Sequence, residues 1–458
     1  MSINIFRFCS IMSSALLGAC AFLQPAYCGW FVFIYLIPLF YSIATSSVAT
    51  NCVHYRFIDG FLWGCIFFGL HMHGLLRVIL DHAQGKEAGV LSWILLIIYC
   101  SFYSGIWFWL AEKLSSFFVK PISRILCWLL ITFCFFYFVE HGILWIFGRF
   151  EGYPFAVPLL PLAAHPSWLF CLPFFGSSCL TIVLFLIPVF FSLYLVHKSI
   201  FYQVSLFFTL LPFLIGWFWH EEKMKVPNWL HKVGVVVPTL VSSNNPFECA
   251  QEITYCLMNY CERNHNVRIL IMPESSYPFA LNEHPEAVGM WAQNVLFDDK
   301  ILLLGSHRRS GKKLFNTFYC IKKRRIIFSY DKKHTIPFIE YLPQPWNNSK
   351  FLQSLFLNKK EQFNVSQKPR TPFSPIKKVT MLPYICSELF FAKNKENNQE
   401  PIVCIVNDSW FSACSMRTLL YLVACYKALA WQQDILYVAQ SKICLINKKS
   451  LSYDLSSL

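Results

Sequence analysis

The first half of the chain is a series of long apolar runs separated by short polar breaks. Each run approaches the roughly twenty residues that an α-helix needs to cross a bilayer. The pattern predicts about seven membrane spans, near residues 8–24, 29–47, 58–76, 89–111, 125–147, 168–196 and 203–219. From about residue 230 the apolar runs shorten, become rich in β-branched residues and alternate with polar stretches. The chain is therefore predicted to be a polytopic α-helical membrane bundle followed by an α/β domain.

Short β-branched runs in the second half predict buried strands. They lie at residues 233–237, 268–272, 301–305, 326–330, 379–385, 402–406 and 435–439. Polar stretches that fit helices lie at residues 246–264 and 415–432. Strands that alternate with helices indicate a layered α/β fold. We place the membrane bundle at residues 1–225 and the second domain at residues 231–451.

Composition and charge support a membrane protein and exclude several other classes. The chain is 56% hydrophobic and 14% charged, whereas soluble chains carry about a quarter charged residues. The net charge of +14 occurs partly in short clusters such as 322–325 and 377–378. No nucleic-acid recognition motif accompanies these clusters, so membrane lipids are the expected partner and nucleic acid is not. The 19 cysteines show no CxxC pair, and we expect neither a metal site nor a cofactor.

The orientation of the bundle follows from basic residues near the span ends, which accumulate on the cytoplasmic side. An amino terminus inside the cell puts six such residues on that side and three on the other: Arg7, Arg56, Lys113, Lys120, Arg124 and Lys198 against Arg77, Lys86 and Arg149. Seven spans from a cytoplasmic start carry the second domain to the outer face of the membrane. In a two-membrane bacterium that face is the periplasm.

Chemically distinctive side chains follow three of the predicted strands. Glu274 comes just after the strand 268–272, Lys332 follows the strand 326–330, and Cys386 directly follows the strand 379–385. Functional groups in α/β sheets gather beyond the carboxyl ends of strands, so we expect these three side chains to converge. A nearby ammonium lowers a thiol pKa and stabilises an oxyanion, while a carboxylate accepts the thiol proton. The constellation predicts acyl transfer through a thioester.

The order Glu, Lys, Cys in these contexts resembles the carbon–nitrogen hydrolase (nitrilase) superfamily. The resemblance lies in the glutamate motif at 271–275, the Tyr-x-Lys-x-His motif at 330–334, the nucleophile motif at 385–388 and the strand-end signature at 407–411. It implies an αββα nitrilase-like sandwich. It also implies roles for the triad: Glu274 as base, Lys332 as oxyanion stabiliser and Cys386 as nucleophile.

The segment 334–343 is similar to the His-x-x-Pro-Phe-Gly-Glu-Tyr-x-Pro segment of the superfamily's membrane branch, the apolipoprotein N-acyltransferases. That resemblance implies a phospholipid as acyl donor and the α-amino group of an S-diacylglyceryl-cysteine apolipoprotein as acceptor. It gives Glu340 and Glu388 auxiliary roles. It also implies a multi-pass protein of the bacterial inner (cytoplasmic) membrane, with the catalytic domain in the periplasm and no cofactor.

The chain departs from the pattern of this branch at several positions. Ile339 stands where glycine is usual, Ser387 stands where an aromatic residue is usual, and the features after Phe411 match poorly. Two other functions therefore stay open: a membrane-tethered amidase or nitrilase that hydrolyses a small amide with the same triad, and a non-catalytic scaffold for lipoprotein export.

A polar arm separates Glu340 from the cysteine strand, at residues 344–378. Phe351, Leu352, Leu355 and Phe356 are spaced so that they would share one face of a helix. The arm is either an element that dips into the membrane surface or a disordered insertion.

Overall fold

The structure is a computed structural model of the whole chain. It describes residues 2–45, 53–82, 86–141, 156–218, 226–238, 245–295, 300–336, 340–342, 348–350, 353, 361–391, 400–409, 411, 414–448 and 452–455. The four apolar residues of the predicted arm helix lie outside the described residues. The chain divides into two compact units, Met1–Glu221 with Phe411–Tyr426 and Glu222–Trp410 with Lys427–Leu458. The domain boundaries 1–225 and 231–451 stay a prediction.

The first unit contains a bundle of apolar helices. In its described part these are α1 (Ser2–Leu23), α2 (Pro25–Cys28), α3 (Ile37–Thr45), α4 (Val53–His71), α5 (His73–His82), α6 (Lys86–Ser115), α7 (Pro121–His141), α8 (Leu172–His197) and α9 (Ile200–Phe218). Six stretches of the described helices are long and apolar enough to cross a membrane, with α4 and α5 as a further candidate. The predicted third span, 58–76, falls on this pair, which is bent by 63°.

Small residues bring α4 and α6 together. Gly60 and Gly64 lie one helical turn apart on α4, and a Cβ at Gly64 would lie 2.6 Å from the Ser101 Cα on α6. At Gly60 it would lie 2.3 Å from the Ser104 backbone oxygen. Because lipid tails are as apolar as the helices, close backbone packing of this kind is a main source of helix association in membranes.

Charged side chains, most of them buried, join four helices of the bundle. Glu112 on α6 pairs with Arg56 on α4 at 3.4 Å and with Arg124 on α7 at 3.5 Å. Asp59 on α4 pairs with Arg56 at 3.6 Å and with Arg7 on α1. All of these arginines belong to the side of the bundle that the basic-residue rule assigns to the cytoplasm.

The second unit is built on two six-stranded sheets. The first follows the order β1-β2-β4-β5-β6, with β3 paired to β4. Its strands are β1 (Val233–Val235), β2 (Ile269–Ile271), β3 (Tyr277–Ala280), β4 (Ile301–Ser310), β5 (Lys313–Lys322) and β6 (Arg325–Asp331). Helices α10 (Pro246–Arg263) and α11 (Pro285–Asn294) belong to the same part of the chain. The pairs β1–β2 and β2–β4 are parallel, whereas β4–β5 and β5–β6 are antiparallel.

The second sheet follows the order β12-β11-β10-β9-β8-β7. Its strands are β7 (Phe373–Ile376), β8 (Val379–Ile385), β9 (Ile402–Ile405), β10 (Ile435–Val438), β11 (Ile443–Ile446) and β12 (Ser452–Asp454). A short helix, α12 (Ser387–Phe391), follows β8, and α13 (Cys414–Trp431) connects β9 to β10. These two strands are parallel neighbours, which require a long crossover of this kind.

The two faces of the first sheet have different neighbours because successive side chains of a strand point in opposite directions. Leu302 on β4 packs with Ile253 of α10 and Trp291 of α11 in one core cluster. On the other face, the Phe318 ring of β5 lies 5.4 Å from the Phe373 ring of β7. The sheets thus pack face to face, and the predicted class, a helical bundle followed by an αββα domain, is confirmed.

Candidate active site

The site is built where strands of the two sheets end. Glu274 lies in the turn after β2, Lys332 directly follows β6, and Cys386 directly follows β8. All three residues are buried, with exposed fractions of 4%, 1% and 6%. The structure therefore brings the three residues singled out in the sequence to one place, and it adds Glu340 and Glu388 to the same region.

The Lys332 ammonium lies between two carboxylates. Its Nζ donates to Glu274 Oε1 at 3.1 Å and to Glu340 Oε1 at 2.9 Å. Burial opposes the charge, but Glu274 and Glu340 outweigh it and raise the pKa of Lys332. Burial likewise raises the pKa of Glu340, against the effect of the lysine. The lysine is therefore a fixed, permanently charged hydrogen-bond donor at neutral pH.

Further donors hold the two carboxylates in place. Asn316 Nδ2, on β5, donates to Glu274 Oε1 at 2.8 Å and to Glu340 Oε1 at 3.3 Å. The backbone N–H of Asn407 donates to Glu274 Oε2 at 2.9 Å, and that of Ile336 donates to Glu340 Oε2 at 2.7 Å. Both oxygens of each carboxylate are therefore engaged, which fixes the orientation of the groups around the lysine.

The glutamate turn lies against β4 through a glycine. A Cβ at Gly305 would lie 2.6 Å from the Glu274 Cα and 2.8 Å from the Ser275 backbone nitrogen, both closer than real Cβ contacts allow. Ser275 itself has a φ of +55°. The position of Glu274 thus depends on the absence of a side chain at residue 305.

Cys386 occupies a sharp turn between β8 and α12. Its φ of +43° lies in the left-handed region that non-glycine residues rarely adopt, at a cost on the order of 1–3 kcal/mol. The turn is held by a backbone hydrogen bond of 2.8 Å from the Cys386 N–H to the Ile405 oxygen. Such strained strand-to-helix turns present nucleophiles in other enzymes.

The thiol of Cys386 is protonated in this resting arrangement. Burial and the Glu274 carboxylate raise its pKa well above the ordinary value, while Lys332 lowers the pKa and is outweighed. The sequence argument expected the ammonium to lower the thiol pKa, and the opposing effect of burial was not visible there. Nucleophilic attack by this thiol would therefore require a base such as a carboxylate to accept its proton.

Glu388 connects the strand end of the lysine to the strand end of the cysteine. Its Oε1 accepts from Tyr330 Oη at 2.5 Å, from the Lys333 N–H at 2.8 Å and from Arg370 Nη2 at 3.1 Å. Its Oε2 accepts from the Ile385 N–H at 2.9 Å. The Lys333 and Ile385 amides are adjacent in sequence to the lysine and the cysteine, so this fully buried carboxylate fixes the spacing between them.

Sequence reasoning missed Asn316 and Arg370, which contact the site carboxylates, and His307, which lies directly across from Asn316 on β4. Asn316 is 2% exposed in the middle of β5, and its Oδ1 has no hydrogen-bond partner among the described residues. The Arg370 guanidinium also lies 3.6 Å from the centre of the Tyr384 ring. A polar residue between apolar ones was a signal for Asn316, whereas nothing in the sequence marked Arg370.

The chemical capability of this arrangement is nucleophilic attack on an acyl carbonyl. A buried thiol lies beside a carboxylate that can accept its proton and an ammonium that can stabilise developing negative charge. The low exposure of all three residues also restricts access of water.

Comparison with curated proteins gives relatives with a common name. An apolipoprotein N-acyltransferase of Sinorhizobium fredii is 32% identical over 154 residues, 31% of this chain and 29% of the relative. That of Helicobacter pylori is 26% identical over 237 residues, 49% of this chain and 54% of the relative. That of Caulobacter vibrioides is 26% identical over 196 residues, 39% of this chain and 36% of the relative. The chain thus aligns with at most about half the length of these relatives, and the resemblance seen in the motifs is confirmed.

Other comparisons concern family models and solved structures. No protein-family model matches the chain. A member of branch 10 of the nitrilase superfamily from Saccharomyces cerevisiae has a TM-score of 0.35 and 13% identity, covering 48% of this chain and 83% of its own. A carbon–nitrogen hydrolase from Helicobacter pylori also has a TM-score of 0.35, with 11% identity and coverage of 48% and 85%.

Proposed function

We propose that this chain is an N-acyltransferase. It takes an acyl chain from a phospholipid as a thioester on Cys386 and passes it to the α-amino group of an S-diacylglyceryl-cysteine apolipoprotein. The observation that supports this most directly is the buried cluster of Glu274, Lys332 and Cys386, in a chain whose curated relatives are named apolipoprotein N-acyltransferase.

The first half-reaction, which we call loading, places the acyl chain on Cys386. Glu274 accepts the Sγ proton as Cys386 attacks the ester carbonyl of the phospholipid. The Lys332 ammonium stabilises the oxyanion, a contribution of about 3–4 kcal/mol for one well-placed donor. Glu274 then gives its proton to the departing lysophospholipid oxygen. Because the thiol pKa is raised, the proton leaves Cys386 only as the carbon–sulfur bond forms.

The second half-reaction, which we call unloading, transfers the acyl chain from Cys386 to the acceptor amine. The amine attacks the thioester as Glu274 accepts one of its protons, Lys332 stabilises the second oxyanion, and Cys386 leaves as a thiolate that takes this proton from Glu274. Glu340 positions the lysine through the 2.9 Å bond to its Nζ. The burial of Cys386 disfavours competing hydrolysis of the thioester by water.

The proposal also includes the location of the chain. The apolar helices are those of a multi-pass membrane protein. The bacterial inner membrane, with the catalytic domain in the periplasm, gives the triad access to both a phospholipid donor and a lipoprotein acceptor. The basic-residue distribution of the sequence supports this orientation.

The loading step is tested by intact-mass spectrometry of the full chain after incubation with phosphatidylethanolamine. We expect the mass of one acyl chain on the wild type, its removal by neutral hydroxylamine, and its absence on Cys386→Ser. Cys256→Ser is the matched control because Cys256 lies on α10, away from the strand ends, and that variant should be acylated normally. Peptide mapping should locate the acyl group on Cys386.

The unloading step is tested by adding a synthetic peptide that begins with S-diacylglyceryl-cysteine, and the same peptide with its α-amino group acetylated. Transfer to the free amine alone supports the proposal. Acyl release as fatty acid with either peptide, together with turnover of small soluble amides, would favour a hydrolase. A Cys386→Ala variant that retains full biological function would favour a scaffold.

A further inference from the structure

His307 lies on the face of the first sheet that carries the active site. It belongs to β4, and its direct cross-strand partner on β5 is Asn316. Directly opposite residues of paired strands project their side chains to the same face. The Asn316 amide donates to Glu274 and Glu340, so the imidazole projects to the same side as the buried carboxylates.

The imidazole lies between the buried site and exposed charges. Its electrostatic neighbours are Glu274 from the turn after β2, Arg309 from its own strand and Glu361. Arg309 donates to Glu361 at 2.7 Å and to Glu283 at 3.2 Å, and the Glu361 side chain is 58% exposed. The titratable groups around His307 therefore lead from a buried carboxylate to an exposed one.

The imidazole ring is held without using its nitrogens. It packs edge-on against the Phe363 ring, with ring centres 4.8 Å apart. Within the described part of the chain, neither ring nitrogen of His307 has a hydrogen-bond partner. Burial lowers the pKa of His307 to about 4, so the ring is neutral at physiological pH and offers one lone pair and one N–H.

The proposed amine transfer has a proton that the triad does not handle. An α-amino group has a pKa near 8, so the acceptor arrives mainly as an ammonium. Forming a neutral amide breaks two N–H bonds and the C–S bond, and it forms one N–C bond and one S–H bond. Glu274 can carry one proton to the Cys386 thiolate, while the other must reach solvent. Lys332 cannot accept it, because the neighbouring carboxylates keep it protonated.

We propose that His307 takes this second proton from the acceptor ammonium through one ring nitrogen and releases a proton from the other toward Glu361 and solvent. The inference rests on the proposed function and assigns to His307 the deprotonation of the acceptor amine. Because burial disfavours the imidazolium, the ring releases the proton of one nitrogen as it accepts a proton at the other, and it stays neutral throughout. The role belongs to the unloading half-reaction, because loading conserves protons between thiol and lysophospholipid.

The test measures the two half-reactions separately in His307→Gln and His307→Ala of the full chain. Gln keeps a hydrogen-bonding side chain but cannot relay a proton, and His265→Gln on the exposed loop after α10 is the matched control. Loading is followed as hydroxylamine-labile mass with phosphatidylethanolamine. Unloading is followed by single-turnover transfer from the acyl-enzyme to the diacylglyceryl-cysteine peptide between pH 6 and 9.

We expect both His307 variants to unload about 100-fold more slowly at pH 7, within the usual range for a general base. The deficit should shrink toward pH 9, where the peptide amine is already neutral, and added imidazole should partly restore His307→Ala. Loading should be slowed far less than unloading, which also shows that the variants fold. Unloading rates and pH profiles equal to those of His265→Gln would overturn the relay alone, as would an equal slowing of both steps. No acyl adduct on the wild type would overturn the proposed function and this inference with it.

Discussion

Replacing Glu388 with glutamine should change the distance between Lys332 and Cys386 while leaving both side chains, and Glu274, chemically intact. Glu388 accepts four hydrogen bonds, two of them from the backbone N–H groups of Lys333 and Ile385 on opposite strand ends. A glutamine has one acceptor oxygen, so its NH₂ group must face one of these backbone N–H groups. Arg370, whose side chain is 4% exposed, would also lose its carboxylate partner.

The magnitudes follow from these contacts. A buried cation that loses its counter-charge costs about 3–5 kcal/mol. At about 2–4 °C per kcal/mol for a domain of this size, the unfolding midpoint should fall by about 10 °C. A displacement of about 1 Å between reacting groups costs about 100-fold in rate. We therefore expect acyl loading of Cys386 in Glu388→Gln to slow by about two orders of magnitude.

The assay combines thermal unfolding with the rate of acyl loading from phosphatidylethanolamine. Glu286→Gln is the control, since that side chain is 51% exposed and remote from the strand ends. In the double variant Glu388→Gln with Arg370→Met, the buried cation that lost its carboxylate is removed. Most of the lost unfolding midpoint should therefore be regained while acyl loading stays slow. Wild-type loading in Glu388→Gln would refute the reasoning. Recovery of the rate in the double variant would assign the loss to charge and not to spacing.

Three further predictions test other parts of the chain. Gly305→Ala should displace the turn of Glu274 and slow acyl loading at least tenfold, because the new Cβ would lie 2.6 Å from the Glu274 Cα; an unchanged rate would contradict this. Glu112→Gln should lower the unfolding midpoint in detergent because it removes the carboxylate shared by two buried arginines, at a cost of about 3–5 kcal/mol in the free energy of unfolding. Glu87→Gln, at an exposed position on the same helix, should leave the midpoint unchanged. Lowering the pH from 7 to 5 should destabilise the wild type by about 2 kcal/mol more than His307→Gln, because the unfolded imidazole titrates near 6.5 and the folded one near 4; parallel pH dependence of the two midpoints would refute it.

Six of the seven strands that were predicted from the sequence are largely buried, whereas β6, predicted at 326–330, is largely exposed. Residues 379–385 were predicted as a strand and are one, with the same bounds. Continuous apolar β-branched runs of this kind are typical of strands covered on both sides. The polar residues that follow β2, β6 and β8 also predicted where Glu274, Lys332 and Cys386 would lie.

One strand that the prediction missed is also largely buried but contains polar residues in its interior. The ten-residue strand β5, Lys313–Lys322, was not expected, because Asn316 and Thr317 interrupt its apolar pattern. Both side chains are buried and engaged by carboxylates: Asn316 donates to Glu274, and Thr317 Oγ1 donates to Asp331 at 2.8 Å. Their partners come from distant parts of the chain, so a local pattern could not predict that these polar side chains would be satisfied inside a sandwich.

The polar residues that concealed β5 also explain how the site is supported. A buried polar group is tolerated only where a partner satisfies it, and local violations of a pattern tend to occur at functional sites. Asn316 breaks the apolar pattern of its strand, and it is the residue that donates to both carboxylates beside the lysine. His307 lies directly across from it on β4. The groups of the proposed triad lie at strand ends, where sequence patterns are easy to interpret, whereas Asn316 and His307, which are proposed to orient them and to relay a proton, lie inside strands. The sequence therefore indicated the three residues of the proposed triad, Glu274, Lys332 and Cys386, whereas the proposed path of their protons required the pairing of β4 with β5.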